Sequence, residues 1–399
     1  MNRKLSISQS LLLILLAICA SASITYYVTI SATNVKLDNI YKDQQELKKF
    51  IEIKDFVQNH FIGEFDSEKS LDYAMDGYIQ GLGDKWSYYL TKEQYSNLEQ
   101  MRTGEFTGIG ITVDYDSETK IIQILEVYDN SPAQKAGIAA LDILISVDDV
   151  LVSELGYEGT VAKCKGEEGT SIKLTLQRND VNTDYVMTRE AIKQKSIESV
   201  MLKNNIGYVR IKEFIDTTGV DFINTLNDLK ASGAKAFVFD VRNNPGGMKN
   251  ILIDMLDHLM PPCDLFVTEQ KNGKKIIDRT ETPGIDLPYV ILVNERSISA
   301  AEYFAAVNQE YQRAKIVGEN TTGKGYAQRT IPLEDGSAIN ISTSKYYLPS
   351  GKSLVDSHGV VPDYIVPLAD ELKGKIGKMT LDEDAQLKKA YDLMVDALN

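Results

Sequence analysis

A serine stands where an apolar strand gives way to a helix. The segment Val293–Glu302 starts at the end of an apolar run, passes through a short polar turn and continues as a helix directly after Ser299. At such a helix start the serine hydroxyl is exposed, and the first N–H groups of the helix have no partner inside the helix. Those N–H groups and the positive end of the helix dipole can stabilise an oxyanion, which makes Ser299 a candidate nucleophile. Most serines in this position only cap the helix, so the position alone does not assign chemistry.

A lysine further along the chain is a candidate general base. Lys324 lies between Gly323 and Gly325, four residues before Gln328. A lysine in a glycine loop is normally solvated and charged. It can accept a proton only where burial lowers its pKa enough to leave a neutral amine near pH 7.

A glycine pair ends another predicted strand. The segment Asp240–Gly247 runs from the strand into an Asn-Pro-Gly-Gly turn. Paired glycines allow backbone N–H groups to approach a substrate carbonyl closely, as an oxyanion hole requires. Without such a substrate the same residues only make a turn.

Residues 104–180 have a different character, with short β-rich runs separated by glycine-containing turns. Three segments are notable here: Phe106–Ile111, Ser131–Ile138 and Gly166–Thr170. A glycine-rich loop can point successive N–H groups at a carboxylate, and the adjacent strand edge can pair with an extended peptide. The alternative is that these glycines make tight turns and nothing more.

This region resembles a PDZ domain. The resemblance implies that the C-terminus of another chain binds along Gly108, Ile109, Gly110 and Ile111. One position departs from the family, which usually has Gly where this chain has Leu141, before Asp142. The turn there is therefore a place where the two could differ in detail.

Taken in order, the segments resemble the carboxyl-terminal processing peptidases, also called tail-specific proteases. The resemblance covers roughly residues 70–370. It includes the spacing of 25 residues from Ser299 to Lys324 and a final turn at Gly359–Asp363. Single motifs are weak, but the ordered set is specific. Two departures are Ala301, where the family often has Ser, and Lys85, where it commonly has Pro.

The resemblance implies a role for each motif residue. Ser299 would be the nucleophile, Lys324 the general base and Gln328 the group that orients the lysine. The oxyanion hole would use backbone N–H groups near Gly246, Gly247 and Ala300. It implies no metal and no cofactor, and it implies protein or peptide substrates with free C-terminal tails. Family members also pair through helical ends, so a homodimer is a further expectation.

The fold class follows from alternating strands and helices in the second half of the chain. Such alternation predicts an α/β core, and the resemblance makes it a crotonase- or ClpP-like protease core with an inserted, mainly-β PDZ domain and helical N- and C-terminal segments. The main predicted strands are Ile206–Ile211, Ala236–Val241 and Tyr289–Val293, and the predicted helices are Gly219–Ser232, Ala300–Ala314 and Leu381–Leu398. The predicted divisions are an N-terminal anchor or signal peptide at 1–34, a helical segment at 35–100, the PDZ-like domain at 101–180, the protease core at 181–370 and a helical end at 371–399.

Composition excludes several classes of protein. The chain has 399 residues, 43% of them hydrophobic and 25% charged, which is ordinary for a folded soluble protein. Its net charge of −14 argues against nucleic acid as a main partner, because phosphate binding needs a basic surface. With three Cys and three His and no metal-ligand spacing among them, a structural zinc site is not expected. A disulfide between Cys164 and Cys263 is open.

The N-terminus predicts a membrane address. Arg3 and Lys4 precede a stretch without charged residues that lasts until Lys36. The apolar run Leu11–Ile30 is long enough to cross a bilayer as a helix, with the basic residues in the cytoplasm and the rest of the chain outside. A signal peptide cleaved after Ala20–Ala22 is the alternative, and a lipoprotein at Cys19 or a buried soluble helix is less favoured.

Two other functions stay open at this point. His358, with Asp356 and Asp363 nearby in sequence, could form a Ser-His-Asp set with Ser299, since the order of triad residues varies among folds. The chain could also be an inactive scaffold that only binds tails through its PDZ-like region. Substituting Ser299, Lys324 and His358 separately discriminates among these functions.

Overall fold

The computed structural model describes residues 20–31, 47–115, 119–128, 130–193 and 195–399. The chain divides into two compact units, residues 1–75 and 76–399. In the first unit, residues 20–31 and 47–60 are helical. The first part of the predicted apolar span, residues 11–19, lies outside the described residues. Within the described ranges, no helix combines the length and apolarity needed to cross a membrane.

The centre of the second unit is a six-stranded sheet. In spatial order its strands are Ile197–Leu202, Ile206–Ile211, Ala236–Asp240, Tyr289–Val293, Ala314–Gly318 and Tyr364–Ile365. The first pair is antiparallel and the others are parallel. Every residue of the two central strands is buried. Their sequences are continuous apolar runs because helices cover both faces of the sheet.

The covering helices divide between the two faces. Three helices pack on one face: Thr218–Ala231, Lys249–Leu259 and Ala300–Glu310. The C-terminal helix, Ala385–Leu398, packs on the other face through Leu387, Ala390, Tyr391 and Met394. The α/β core predicted from the sequence is confirmed, and the predicted helices start or end within four residues of the observed bounds.

A second sheet lies beside the core sheet and carries the loop of Lys324. Its strands are Tyr88–Leu90, Lys275–Arg279, Asp264–Gln270, Ala338–Tyr347 and Tyr326–Pro332. The strand Tyr88–Leu90 lies inside the segment that we predict to be helical throughout. It is extended because it pairs with Ala338–Tyr347, about 250 residues further along the chain. The sequence around Tyr88–Leu90 does not indicate so distant a partner. The helices on either side, Ser67–Gln80 and Lys92–Thr103, agree with the prediction.

The mainly-β module is inserted between Tyr88–Leu90 and the core sheet. Its sheet has the strands Ile111–Tyr115, Ile122–Val127, Ile143–Val147, Ser171–Arg178 and Val181–Thr188, with Val150–Leu151 attached to the third. The last strand pairs with Ser171–Arg178 along all eight residues, so the sheet continues past residue 180. Two further strands, Glu105–Gly108 and Glu190–Lys193, pair where the chain enters and leaves the module. The remaining helices are Pro132–Lys135, Val152–Cys164, Lys203–Asn205 as a 3₁₀ turn, and Asp370–Lys373.

Candidate active site

Two turns meet at one edge of the core sheet. The Asn-Pro-Gly-Gly turn follows strand Ala236–Asp240, and the Ser299 turn follows strand Tyr289–Val293. These strands are parallel neighbours, so their carboxyl ends lie at the same edge. The Ile298 N–H donates to the Asn244 carbonyl at 3.0 Å, which joins the turns directly.

The buried Asn244 side chain holds the glycine turn in shape. Its Oδ1 accepts from the Gly246 N–H at 2.8 Å, and its Nδ2 donates to the Ile211 carbonyl at 2.8 Å. Gly246 has φ 99°, and a Cβ there would lie 2.7 Å from the Ile298 carbonyl oxygen. Only glycine fits such a close approach to the serine turn.

Ser299 adopts a strained backbone conformation. Its φ is 55° and its ψ is −114°, and it stands immediately before the helix Ala300–Glu310. Non-glycine residues avoid this region, and such strain persists only where the surrounding structure imposes it. A sharp strand-to-helix turn of this kind lifts a serine hydroxyl out of the backbone surface, as the nucleophile turn of α/β-hydrolases does.

The buried carboxylate of Glu302 connects the serine turn to the lysine loop. Oε2 accepts from the N–H groups of Ser299 at 2.8 Å and Lys324 at 2.9 Å. Oε1 accepts from the Gly323 N–H at 2.6 Å and the Thr321 hydroxyl at 2.6 Å. Burial raises the pKa of Glu302, although these hydrogen bonds favour its charged form. One side chain thus fixes both candidate catalytic residues through their backbones.

The amine of Lys324 lies against an aromatic ring. Its Nζ is 4.5 Å from the centroid of Trp86, and Lys85 Nζ is 4.6 Å from the same centroid. Burial lowers the pKa of Lys324, while the carboxylates of Glu302 and Asp84 act in the opposite direction. The Lys324 amine is therefore partly desolvated, as a lysine that acts as a base must be.

Ser299, Lys324 and Gln328 line one cavity of about 530 Å³, together with Gly246, Gly247 and Ala300. Apolar side chains also line it: Leu98, Met101, Ile215, Met248, Leu252, Phe266 and Tyr303. Among the described residues, no hydrogen bond joins Ser299 Oγ to Lys324 Nζ. The Gln328 amide donates to the Tyr326 carbonyl and the Ser342 hydroxyl, each at 3.0 Å, and not to Lys324.

The predicted oxyanion donors differ in availability. The Gly246 N–H already donates to Asn244 Oδ1, so it stabilises the conformation of the turn and is not available to an oxyanion. In the part of the chain that the structure describes, no acceptor takes the N–H of Gly247 or Ala300. Ala300 is the first residue of its helix, where an N–H has no helical partner. Gly247, at φ 139°, has no room for a side chain because a Cβ would collide with the Phe214 carbonyl.

The PDZ-like module has a groove at the predicted position. Strand Ile111–Tyr115 is at the edge of its sheet and is free to pair with a further strand. Gly108, Ile109, Gly110 and Ile111 line a small cavity of about 80 Å³ beside the helix Val152–Cys164. The cavity lining is mostly apolar, with Thr160 and Lys165 as its polar side chains.

The departure at Leu141 does not change the turn. Leu141 has φ 73°, the left-handed conformation that glycine adopts readily, and its side chain is 72% exposed. Asp142 remains in place, and its carboxylate accepts from the Ala139 N–H at 2.9 Å. The leucine therefore takes the glycine conformation at a cost in strain.

His358 has no place in the cavity. Its side chain is exposed and does not contribute to the cavity lining. Asp363 is occupied elsewhere and accepts from the Ile316 N–H at 2.8 Å. Cys164 and Cys263 are both free thiols, so they form no disulfide. Within the described ranges, no cluster of three or more His, Cys, Asp or Glu side chains could hold a metal ion.

Sequence reasoning missed three residues of the site: Glu302, Trp86 and Asp84. Glu302 gave a usable signal, since a Glu three residues after a helix-capping Ser is the pattern of a capping box. That pattern explains its bond to the Ser299 N–H but not its bonds to the lysine loop. Trp86 and Asp84 belong to a segment that the family resemblance covers, but more than 230 residues separate them from Lys324, so the sequence did not indicate that they lie beside its amine.

The sequence of this chain is similar to those of known proteases. The profile of peptidase family S41 matches residues 205–366, and that of the PDZ domain matches residues 123–178. The carboxy-terminal processing protease CtpA of Bacillus subtilis is 30% identical over 371 residues, covering 90% of this chain and 78% of the relative. The carboxy-terminal-processing protease of Bartonella bacilliformis is 30% identical over 357 residues, covering 86% of this chain and 81% of the relative.

A solved structure shares the fold. The putative S41 protease from Bacteroides fragilis superposes with a TM-score of 0.56 at 15% identity, covering 81% of this chain and 90% of that one. Together with the sequence relatives, this places the chain in a family: it belongs to the carboxyl-terminal processing proteases of peptidase family S41, which are serine-type endopeptidases, and it carries a PDZ domain.

Proposed function

We propose that Ser299 and Lys324 form the catalytic pair of this protease. The observation that carries the proposal is the shared anchoring of both residues by Glu302, which directs the strained serine turn and the lysine loop to one cavity. Lys324 accepts the hydroxyl proton of Ser299 as the serine Oγ attacks the substrate carbonyl. The N–H groups of Gly247 and Ala300 stabilise the resulting oxyanion. The tetrahedral intermediate collapses as the peptide C–N bond breaks, and the lysine ammonium donates its proton to the leaving amine. Water, deprotonated by the neutral lysine, then attacks the acyl-enzyme, and the products are the free carboxylate and Ser299.

The lysine must move before it can act. In the described structure its amine lies over Trp86 and makes no hydrogen bond to Ser299. Rotation of the long, flexible side chain brings the amine to the serine, and hydrogen bonds at active sites commonly tighten only in the substrate complex. Gln328, held by Ser342, is placed on the cavity wall to receive the moved amine.

The PDZ domain binds the C-terminal tail of the substrate. The edge strand Ile111–Tyr115 offers backbone groups for an added strand, and the groove at Gly108–Ile111 offers N–H groups for the carboxylate. The cavity of about 80 Å³ beside them suits a small apolar terminal side chain. The apolar lining of the catalytic cavity receives an unfolded segment of the same substrate.

The protease works outside the cytoplasmic membrane. This part of the proposal rests on Arg3 and Lys4 followed by the uncharged stretch that ends at Lys36. Protease added to intact cells should digest the S41 core, and the core should sediment with membranes if the N-terminal segment is retained. A core that stays protected in intact cells would exclude this location.

The test of the catalytic pair uses the full chain in mild detergent with casein as an unfolded substrate. Ser299→Ala and Lys324→Ala should each reduce cleavage to background, because each removes one partner of the acylation step. His358→Ala is the matched control and should cleave at the unmodified rate. If His358→Ala were as damaging as Lys324→Ala, the Ser-Lys assignment would be wrong.

A further inference from the structure

A buried cluster of charged groups joins the C-terminal segment to the glycine turn. Arg242 lies two residues before Asn244, the first residue of that turn, and is 1% exposed. Its guanidinium donates to both oxygens of Asp240 at 2.6 to 3.1 Å, to both oxygens of Asp384 at 2.8 and 3.0 Å, and to Gln386 Oε1 at 2.8 Å. The Tyr208 hydroxyl donates to Asp240 at 2.7 Å.

The C-terminal segment contacts the turn at a second point. The Asn243 side chain donates to the Lys373 carbonyl at 3.3 Å. Asn243 also exchanges two hydrogen bonds with Asn294: its N–H donates to Asn294 Oδ1 at 2.9 Å, and Asn294 Nδ2 donates to its Oδ1 at 2.8 Å. Asn243 itself has φ 59°, so this end of the turn is held in an unfavourable conformation by its partners.

These bonds extend to the serine turn. The Ser297 hydroxyl donates to the Val241 carbonyl at 2.8 Å, and Ile298 N–H donates to the Asn244 carbonyl at 3.0 Å. A displacement at Arg242 therefore reaches Gly247 through the four intervening residues of backbone and reaches Ser299 through the cross-turn bonds. Rates fall steeply when oxyanion donors shift by a fraction of an ångström.

We propose that Asp384 and Gln386, at the start of the C-terminal helix, are positioning residues for the oxyanion hole and act through Arg242. They touch no substrate. They fix the guanidinium between two carboxylates, and the guanidinium fixes the turn that presents the Gly247 N–H. This inference rests on the proposed roles of Ser299 and Gly247.

The test uses Asp384→Asn in the full chain. Asn keeps Oδ1, which caps the helix by accepting from the N–H groups of Gln386 at 3.1 Å and Leu387 at 3.0 Å, and it places an amide against Arg242 in place of Oδ2. We expect kcat to fall about 10- to 100-fold with KM within about twofold, because the change acts on the transition state and not on substrate binding. The affinity of a peptide trifluoromethyl ketone, which forms a tetrahedral oxyanion on Ser299, should fall in parallel with kcat.

Met394→Ala is the matched control. It removes a buried contact from the same helix, where Met394 is 5% exposed, without touching the cluster. At a temperature where both variants are folded, it should keep the kcat of the unmodified enzyme. Gln386→Met, which removes one acceptor of Arg242 and adds no charge, should lower kcat less than Asp384→Asn does.

The outcomes separate the two proposals. If the unmodified enzyme cleaves casein and neither Ser299→Ala nor Lys324→Ala does, the catalytic proposal holds whatever the result for Asp384→Asn. If Asp384→Asn then lowers only the melting temperature, or lowers kcat no more than Met394→Ala does, the cluster only stabilises the fold and the positioning role is wrong. If Ser299→Ala still cleaves, the catalytic assignment itself fails.

Discussion

Two arginine–aspartate pairs hold turns in the two functional regions, and their surroundings differ. In the PDZ domain, Arg178 donates to both oxygens of Asp142 at 2.6 Å, yet 44% of the arginine side chain is exposed. In the protease core, the side chains of Arg242 and Asp240 are fully buried. In the PDZ domain Asp142 is buried but Arg178 reaches water, so the arginine charge stays partly solvated when the pair is weakened. Removing one partner of a fully buried pair instead leaves an unpaired charge in a low dielectric.

The difference indicates how each region achieves its geometry. The catalytic edge is set by buried polar side chains that each satisfy several backbone groups, so a single substitution disturbs many bonds. The groove at Gly108–Ile111 in the PDZ domain is formed by an edge strand and a glycine-rich loop. We therefore expect the core to respond to isosteric changes that the PDZ domain tolerates.

The largest effect is expected for Glu302→Gln. The new amide places an NH₂ group against backbone N–H donors that now bond to a carboxylate, and each buried donor left unpaired costs about 1 to 3 kcal/mol. We expect kcat on casein to fall at least about 100-fold, since both Ser299 and Lys324 lose an anchor. Steady-state kinetics at a temperature where the variant is folded provide the measurement. A loss smaller than about threefold would contradict the anchoring role of Glu302.

Asp142→Asn is the corresponding change in the PDZ domain. It weakens the pair with Arg178 but keeps the acceptor for the Ala139 N–H. Because the arginine is exposed, we expect tail-peptide affinity to fall by roughly twofold to fivefold, with kcat on a short peptide unchanged. Fluorescence titration with a tail peptide and kinetics with a short substrate measure the two quantities. A large loss of kcat here would remove the contrast between the regions.

The pH dependence of the rate tests the electrostatics of Lys324. A lysine base works in its neutral form, so the rate should rise with pH through the Lys324 pKa, which burial places below its usual value. The Asp84 carboxylate opposes that lowering. Asp84→Asn removes the negative charge, lowers the pKa further and should move the low-pH limb of the kcat profile to lower pH. Glu334→Gln, an exposed charge change elsewhere, should leave the limb in place, and a shift to higher pH in Asp84→Asn would disprove the sign.

The smallest effect is expected for Leu141→Gly in the PDZ domain. Leucine in the left-handed conformation destabilises the folded state by roughly 1 to 2 kcal/mol, and glycine removes this strain. Part of the stabilisation is lost again, because glycine has more conformational freedom in the unfolded chain. The exposed side chain loses few contacts. We expect the free energy of unfolding to rise by about 0.5 to 1 kcal/mol in a denaturant titration, without a change in kcat. A decrease would show that the side chain makes stabilising contacts despite its exposure.

Much of the fold could be predicted from local patterns. The predicted bounds of the strand Tyr289–Val293 equal the observed bounds, because a short continuous apolar run before a polar turn is typical of a buried β-strand. The start of the helix at Ala300 followed from the capping position of Ser299. The strand Tyr88–Leu90 was mistaken for helix, since its extended form depends on pairing with a distant strand.

The candidate site divides in the same way. The family resemblance of the sequence predicts Ser299, Lys324, Gln328 and the glycine turn as site residues, because motif order and spacing can be read along the chain, and the structure brings these residues to one cavity. Only the tertiary structure showed that Glu302 bonds to the lysine loop, that Lys324 lies over Trp86 and that Arg242 bonds to Asp384, 142 residues away. The physical reason is burial: which donors and acceptors meet, and which amine loses its water, depends on how distant segments pack, and no local pattern encodes that packing.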